Sequence, residues 1–114
     1  MKKMKLSNLF SNLPDDRQSE IFETIADFRN VKIERIVSSG QATPEGQWYD
    51  QTHDEWVLLL AGSAGILLEG QPETLKLVAG DYLLIPSHCR HRVEWTDQKQ
   101  QTIWLALHAG EVSV

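Results

Sequence analysis

From residue 31 onward, apolar and polar positions fall into short runs, separated by turn residues about every eight to twelve positions. Runs of this length predict β-strands, in which successive side chains point to opposite faces. Residues 31–38 alternate through Val31, Ile33 and Val37, and a loop containing Gly40, Pro44 and Gly46 leads to a short strand around 47–51. Residues 56–61 form an apolar strand, Gly62-Ser63 a tight turn, and 64–68 its hairpin partner. Further strands are expected at 75–78, 82–85, 91–95 and 102–108, with turns at Gly70 and Pro72, at 79–81, at Pro86 and at 96–100. About eight strands suffice to close a barrel or a two-sheet jelly roll.

Residues 1–30 read differently. After Leu13-Pro14 the acidic pair Asp15-Asp16 resembles a helix start, and Ile21, Phe22, Ile25 and Phe28 recur at helical spacing, so a short helix is the first expectation. Phe22, Thr24, Ala26 and Phe28 also alternate, which makes an edge strand the rival. The expected organisation is an N-terminal extension, 1–30, packed on the barrel or on a partner subunit, followed by a single all-β domain over 31–114.

Composition narrows the function classes. With 114 residues there is room for one core, and 41% hydrophobic with 24% charged residues is ordinary for a globular chain. The 11 basic and 16 acidic residues give a net charge of −5, and the basic ones form no stripe, so neither nucleic acid nor an anionic membrane surface is an expected partner. The lysine-rich start is followed by Asn8, Ser11, Asn12 and Asp15 where a signal peptide needs an apolar run. The apolar run at 56–61 is far shorter than the roughly 20 residues that span a bilayer. Cys89 is the sole cysteine, so no internal disulfide can form, and a cytoplasmic location is the expectation.

Two motifs resemble those of the cupin family over roughly residues 46–108. Glu55 followed six residues later by Gly62 matches the second half of the pattern G-x5-H-x-H-x(3 or 4)-E-x6-G. Its two histidine positions hold Trp48 and Asp50, or Tyr49 and Gln51, depending on the spacing. In the pattern G-x5-P-x-G-x2-H-x3-N, Gly80, Pro86 and His91 fit in register, while His88 replaces a glycine and Trp95 the asparagine. The resemblance implies a small cupin-type β-barrel or jelly roll.

The resemblance also directs attention to Glu55 and His91. His91, Val93 and Trp95 share one strand face, which should be interior, and Glu55 begins a neighbouring strand. Cupins complete a metal site from the first motif, so the implied ligands are His91, Glu55 and either Asp50 or Gln51, with Zn, Mn, Fe or Ni as the divalent ion. No organic cofactor is implied. His53, two before Glu55, reads as a loop residue or an additional ligand. A buried Glu55–His91 ion pair without metal is the bland alternative. Trp48, Tyr49, His88, Trp95, Trp104 and His108 are the expected pocket residues, aromatic groups for stacking and histidines near the mouth. Cys89 reads as an inert thiol, and Arg90 and Arg92 as solvated or subunit-contact residues.

Three functions stay open. One is a metal-dependent isomerase, lyase or dioxygenase acting on a small molecule. The second is a metal-free ligand-binding or regulatory domain. The third is metal-free acid–base catalysis by His91 and Glu55. The resemblance implies a homodimer, since cupins often dimerise by exchanging or packing N-terminal segments, and Ile21, Phe22, Ile25 and Phe28 would suit that.

Overall fold

The computed structural model describes residues 4–110. Eight strands follow in chain order: β1 (Ile21–Asp27), β2 (Val31–Ser38), β3 (Asp54–Ala61), β4 (Ser63–Leu68), β5 (Leu75–Val78), β6 (Tyr82–Ile85), β7 (His91–Thr96) and β8 (Thr102–Ala109). They form two antiparallel sheets, one ordered β1-β2-β8-β3-β6 and the other β5-β4-β7. The all-β architecture is as expected, but as two sheets, with no continuous ladder closing a barrel among the described residues. Val57 and Leu59 of β3, Ala64 and Ile66 of β4, Leu77, Ile85, Trp104 and Ala106 form one buried cluster drawn from both sheets.

No helix occurs among the described residues, and the expected N-terminal helix is replaced by β1. β2 offers an edge that 21–27 can pair with, and isoleucine, phenylalanine and threonine suit a pleated surface. The ladder shifts register between Thr24 and Ala26. A bulge adds one residue to the strand and flips the alternation beyond it. Phe22, Ile25 and Phe28 therefore all emerge exposed, three residues apart, which imitates a helical period. The strand expected at 47–51 is reduced to a single bridge between Tyr49 and His91. Arg92 holds the preceding loop in place by donating to the carbonyls of Thr43, Pro44 and Gln47 at 2.9–3.3 Å.

Cross-strand register decides which residues meet. Lys32, His108, Glu55 and Ile85 lie side by side across β2, β8, β3 and β6, and Ile36, Trp104 and Leu59 form the parallel row. Residues opposite one another in a ladder share a face, so β2 turns Glu34 and Ile36 toward the interior. The alternating Val31, Ile33 and Val37 lie on the opposite face of the strand. Both faces of β2 are covered, because the N-terminal arm packs on the other side. There the buried Arg35 donates to the carbonyls of Leu9, Ser11 and Asn12 and pairs with Glu23 at 2.6 Å.

Two of the glycine positions of the motifs have a steric reading. Gly62 has φ +85°, and a Cβ there would stand 2.4 Å from Thr102 Oγ1 and 2.8 Å from its Cα, so the β3–β4 turn needs glycine twice over. His88, where the second motif has glycine, adopts φ +61°. A left-handed conformation strains an L-residue, and the exposed His88–Asp50 contact at 3.2 Å compensates little. His88→Gly is expected to raise stability by about 0.5 kcal/mol after the extra unfolded-state entropy of glycine is subtracted. A urea midpoint that falls would refute this reading of the turn.

Candidate functional site

Between the sheets lies a cavity of about 110 Å³. Its apolar wall is Phe22, Ile36, Val57, Ile66, Ile85, Val93 and Trp104, and its polar groups are Glu20, Glu34, Tyr49, Gln51, Glu55, His91 and His108. Glu55 stands at the start of β3, and His91 reaches it from the start of β7 in the opposite sheet. His91 Nε2 is 3.5 Å from Glu55 Oε1, and both side chains are about nine-tenths buried, at 7% and 8% exposure. The Cys89 carbonyl takes a hydrogen bond from His91 Nδ1 at 2.9 Å, which fixes the ring with Nε2 aimed at the carboxylate. Tyr49 stacks on the His91 ring at a centroid distance of 5.5 Å, and their backbones exchange two hydrogen bonds.

Burial opposes a charge on His91. It is outweighed by the hydrogen bond to Glu55, the Cys89 carbonyl and the Glu55 charge, and the ring's pKa lies above its ordinary 6.5. Burial, then the charges of Glu20 and Glu55, push the Tyr49 phenol up, so it stays protonated. A histidine pKa raised by folding stabilises the fold fully below the unfolded value and loses that contribution as pH rises through the folded value. Stability is therefore expected to fall as pH climbs above about 6.5, with a smaller fall in His91→Gln. Parallel pH profiles of the urea midpoint for the two proteins would contradict it.

The structure brings six of the residues singled out from the sequence to one cavity. Tyr49, Gln51, Glu55, His91, Trp104 and His108 all line the cavity. Asp50 does not; it pairs with the exposed His88 at the surface. Adjacent residues of an extended loop point opposite ways, so turning Gln51 inward turns Asp50 out. Trp48 lies outside the cavity, with the Arg90 and Arg92 guanidinium groups 5.6 and 5.9 Å from its ring. Trp95 is also outside. β7 pairs Val93 with Ile66 but Trp95 with Gly65, so Glu94 is a bulge that turns Trp95 to the other face. Its indole lies across Gly65, where a Cβ would stand 2.3 Å from Nε1.

Glu20 and Glu34 were not anticipated. Glu20 arrives on the N-terminal arm, and its carboxylate accepts a hydrogen bond from Ser38 Oγ at 2.6 Å. Glu34 Oε1 lies 2.7 Å from His108 Nε2. His53 lies in the loop before β3, half-buried, and its Nε2 is 2.8 Å from His108 Nδ1.

These donors do not fit the metal site that the resemblance implies. Glu55 and His91 face each other directly, Asp50 is at the surface, and Gln51 would supply only a weak neutral oxygen. His108, the remaining imidazole, directs Nε2 at Glu34 and lies 3.9 Å from Glu55 Oε2. Among the described residues, no group of three or more His, Cys, Asp or Glu is arranged to hold a metal ion.

The strand order, the Glu55–Gly62 and Gly80–Pro86–His91 motifs and the cavity between the sheets define a cupin, and the chain belongs to the cupin superfamily. It is 47% identical to a structure from Ralstonia eutropha JMP134 whose proposed activity is mannose-6-phosphate isomerase, over 95% of this chain and 100% of that one, with a TM-score of 0.91. A cupin superfamily protein from Desulfitobacterium hafniense DCB-2 shares the fold at 19% identity and a TM-score of 0.75, over 97% and 94% of the two chains. An RmlC-like cupin of double-stranded β-helix fold from Methanocaldococcus jannaschii does so at 17% identity and 0.67, over 85% of each. A scan of protein-family models finds no match, and neither does a search of curated proteins. Among the described residues no helix is long and apolar enough to cross a membrane.

Proposed function

We propose that this cupin moves a proton between neighbouring carbons of a small hydroxy-carbonyl compound, with Glu55 as base and His91 as acid. The observation that carries the reading is the Glu55–His91 pair, 3.5 Å apart, nearly buried and facing a mostly apolar cavity. Glu55 takes the proton from the carbon beside the carbonyl. His91, whose pKa its surroundings raise above the ordinary value, donates in its protonated form from Nε2 to the carbonyl oxygen, and an enediol forms. Return of the proton to the adjacent carbon, with the hydroxyl proton passing back to His91, yields the isomer. The 47% identity to a proposed sugar-phosphate isomerase supports an isomerase chemistry.

The substrate differs from a hexose phosphate on two grounds. A cavity of about 150 Å³ takes benzene, so 110 Å³ suits a molecule of about four to six heavy atoms. The lining holds three glutamates and no lysine or arginine, which disfavours an anion. Incubation in D2O with glyceraldehyde, dihydroxyacetone, erythrose and mannose 6-phosphate tests both points. Deuterium gain at the carbon beside the carbonyl of a small uncharged compound, followed by proton NMR, supports the proposal. No gain above the buffer rate on any of them contradicts it. The apolar wall, with Trp104 at its base, favours a second reading as a metal-free ligand-binding domain, which saturable chemical-shift changes without turnover would support.

The proposal includes a homodimer. β1 is an edge strand, and Phe22, Ile25 and Phe28 are all about half exposed or more. Edge strands with apolar side chains pair readily with a second chain. Sedimentation is expected to show twice the 13.0 kDa chain mass, and a monomer at micromolar concentration would refute it.

A further inference from the structure

Beside the cavity is an outer cleft of about 520 Å³, and the two share Glu34, Gln51 and His108. His53 borders only the outer cleft, and Glu55 and His91 only the inner cavity. His108 stands in the wall between them. Its Nδ1 is 2.8 Å from His53 Nε2, and its Nε2 is 2.7 Å from Glu34 Oε1 and 3.9 Å from Glu55 Oε2. Two imidazoles in hydrogen-bond contact, one open to the cleft and the other 3.9 Å from the buried Glu55 carboxylate, form a line of proton-carrying groups with one short gap at its inner end.

We infer that His53 and His108 are a proton relay that carries protons from the outer cleft to Glu55. The inference rests on the acid–base reading of Glu55. Glu34, whose Oε2 lies 3.4 Å from Lys32 Nζ, orients the His108 ring. With both rings neutral, the following assignment of protons satisfies both contacts of His108. His108 Nε2–H donates to Glu34, and His108 Nδ1 accepts from His53 Nε2–H.

Delivery then balances as follows. His53 takes a proton from solvent at Nδ1 and passes its Nε2 proton to His108 Nδ1. His108 releases its Nε2 proton to Glu55 Oε2 once that gap closes by about 1 Å to hydrogen-bond distance. Both rings finish neutral with the proton on Nδ1, and the reverse passage resets them. Register explains the placement: His108 and Glu55 are direct cross-strand partners, and His53 ends the loop that enters β3.

The relay is tested without a substrate, by the exchange of the His108 Nε2 ring proton with water in nitrogen-15-labelled protein. His53→Phe keeps a ring of similar size against His108 and removes the carrier. Exchange is expected to slow by about tenfold or more, with backbone amide exchange unchanged. If the wild-type proton exchanges too fast to observe, its appearance in His53→Phe is the same result. A rate within about twofold of wild type, or a proton invisible in both proteins, overturns the relay. His88→Gln, at the surface, should leave exchange as it is. Because no turnover is measured, slow exchange in His53→Phe alongside a failed D2O assay would leave the relay standing and remove only the acid–base proposal.

Discussion

Replacing Glu55 by glutamine is expected to lower solvent deuterium exchange into a small hydroxy-carbonyl substrate by about 100-fold or more. Glutamine keeps the shape and a hydrogen-bond acceptor near His91, so the cavity and its ligand affinity should change little. What it lacks is a basic oxygen able to take a proton from carbon. The loss should fall on kcat and leave KM nearly unchanged, as for an interaction made in the transition state. It should also lower the His91 pKa, because two of the influences that raise it come from Glu55. Equal exchange rates in wild type and Glu55→Gln would remove Glu55 from the chemistry.

Arg35→Met is expected to destabilise the fold by about 2–4 kcal/mol and to free the N-terminal arm. Arg35 is 6% exposed and makes five hydrogen bonds, three of them to carbonyls of the arm and two to Glu23. Its partner Glu23 is 40% exposed and stays solvated, which keeps the effect below that of a fully buried pair. The arm also carries Glu20 into the cavity wall, so its release opens the site on that side. A lower urea midpoint together with new protease cleavage ahead of Ile21 is the expected result. An unchanged midpoint would show that the arm is held by other contacts.

Much of this architecture was legible in the alternation of apolar residues, because strands of four to eight residues between glycines and prolines leave few other readings. The seven strands from β2 to β8 sit within two residues of the runs that predict them. What could not be read were the irregularities. One extra residue near Ile25 turned a strand into the likeness of a helix, and one at Glu94 moved Trp95 out of the expected cavity face. Nothing local in either stretch marks a bulge, since pairing with a distant strand creates it.

The site was half legible for a similar reason. Glu55 and His91 could be found from motif spacing, and His108 from its parity with Trp104 and Ala106. Glu34 was hidden because β2 is covered on both faces, so the alternation of Val31, Ile33 and Val37 does not tell which face lines the cavity. Glu20 was hidden because nothing near it in sequence shows where the arm is pinned; that depends on Arg35, on Gln101 binding the Pro14 carbonyl and on Gln41 binding that of Arg17. The metal expectation came with the motif, and the register then placed Asp50 at the surface.

The central claim is that Glu55 and His91 do the chemistry without a metal ion. It is tested most directly by measuring deuterium exchange by the wild-type protein before and after exhaustive chelation, with bound metal quantified in the same samples. The rates are expected to agree within about twofold at a metal content far below one ion per chain. Exchange that disappears on chelation and returns with Zn, Mn, Fe or Ni would contradict it.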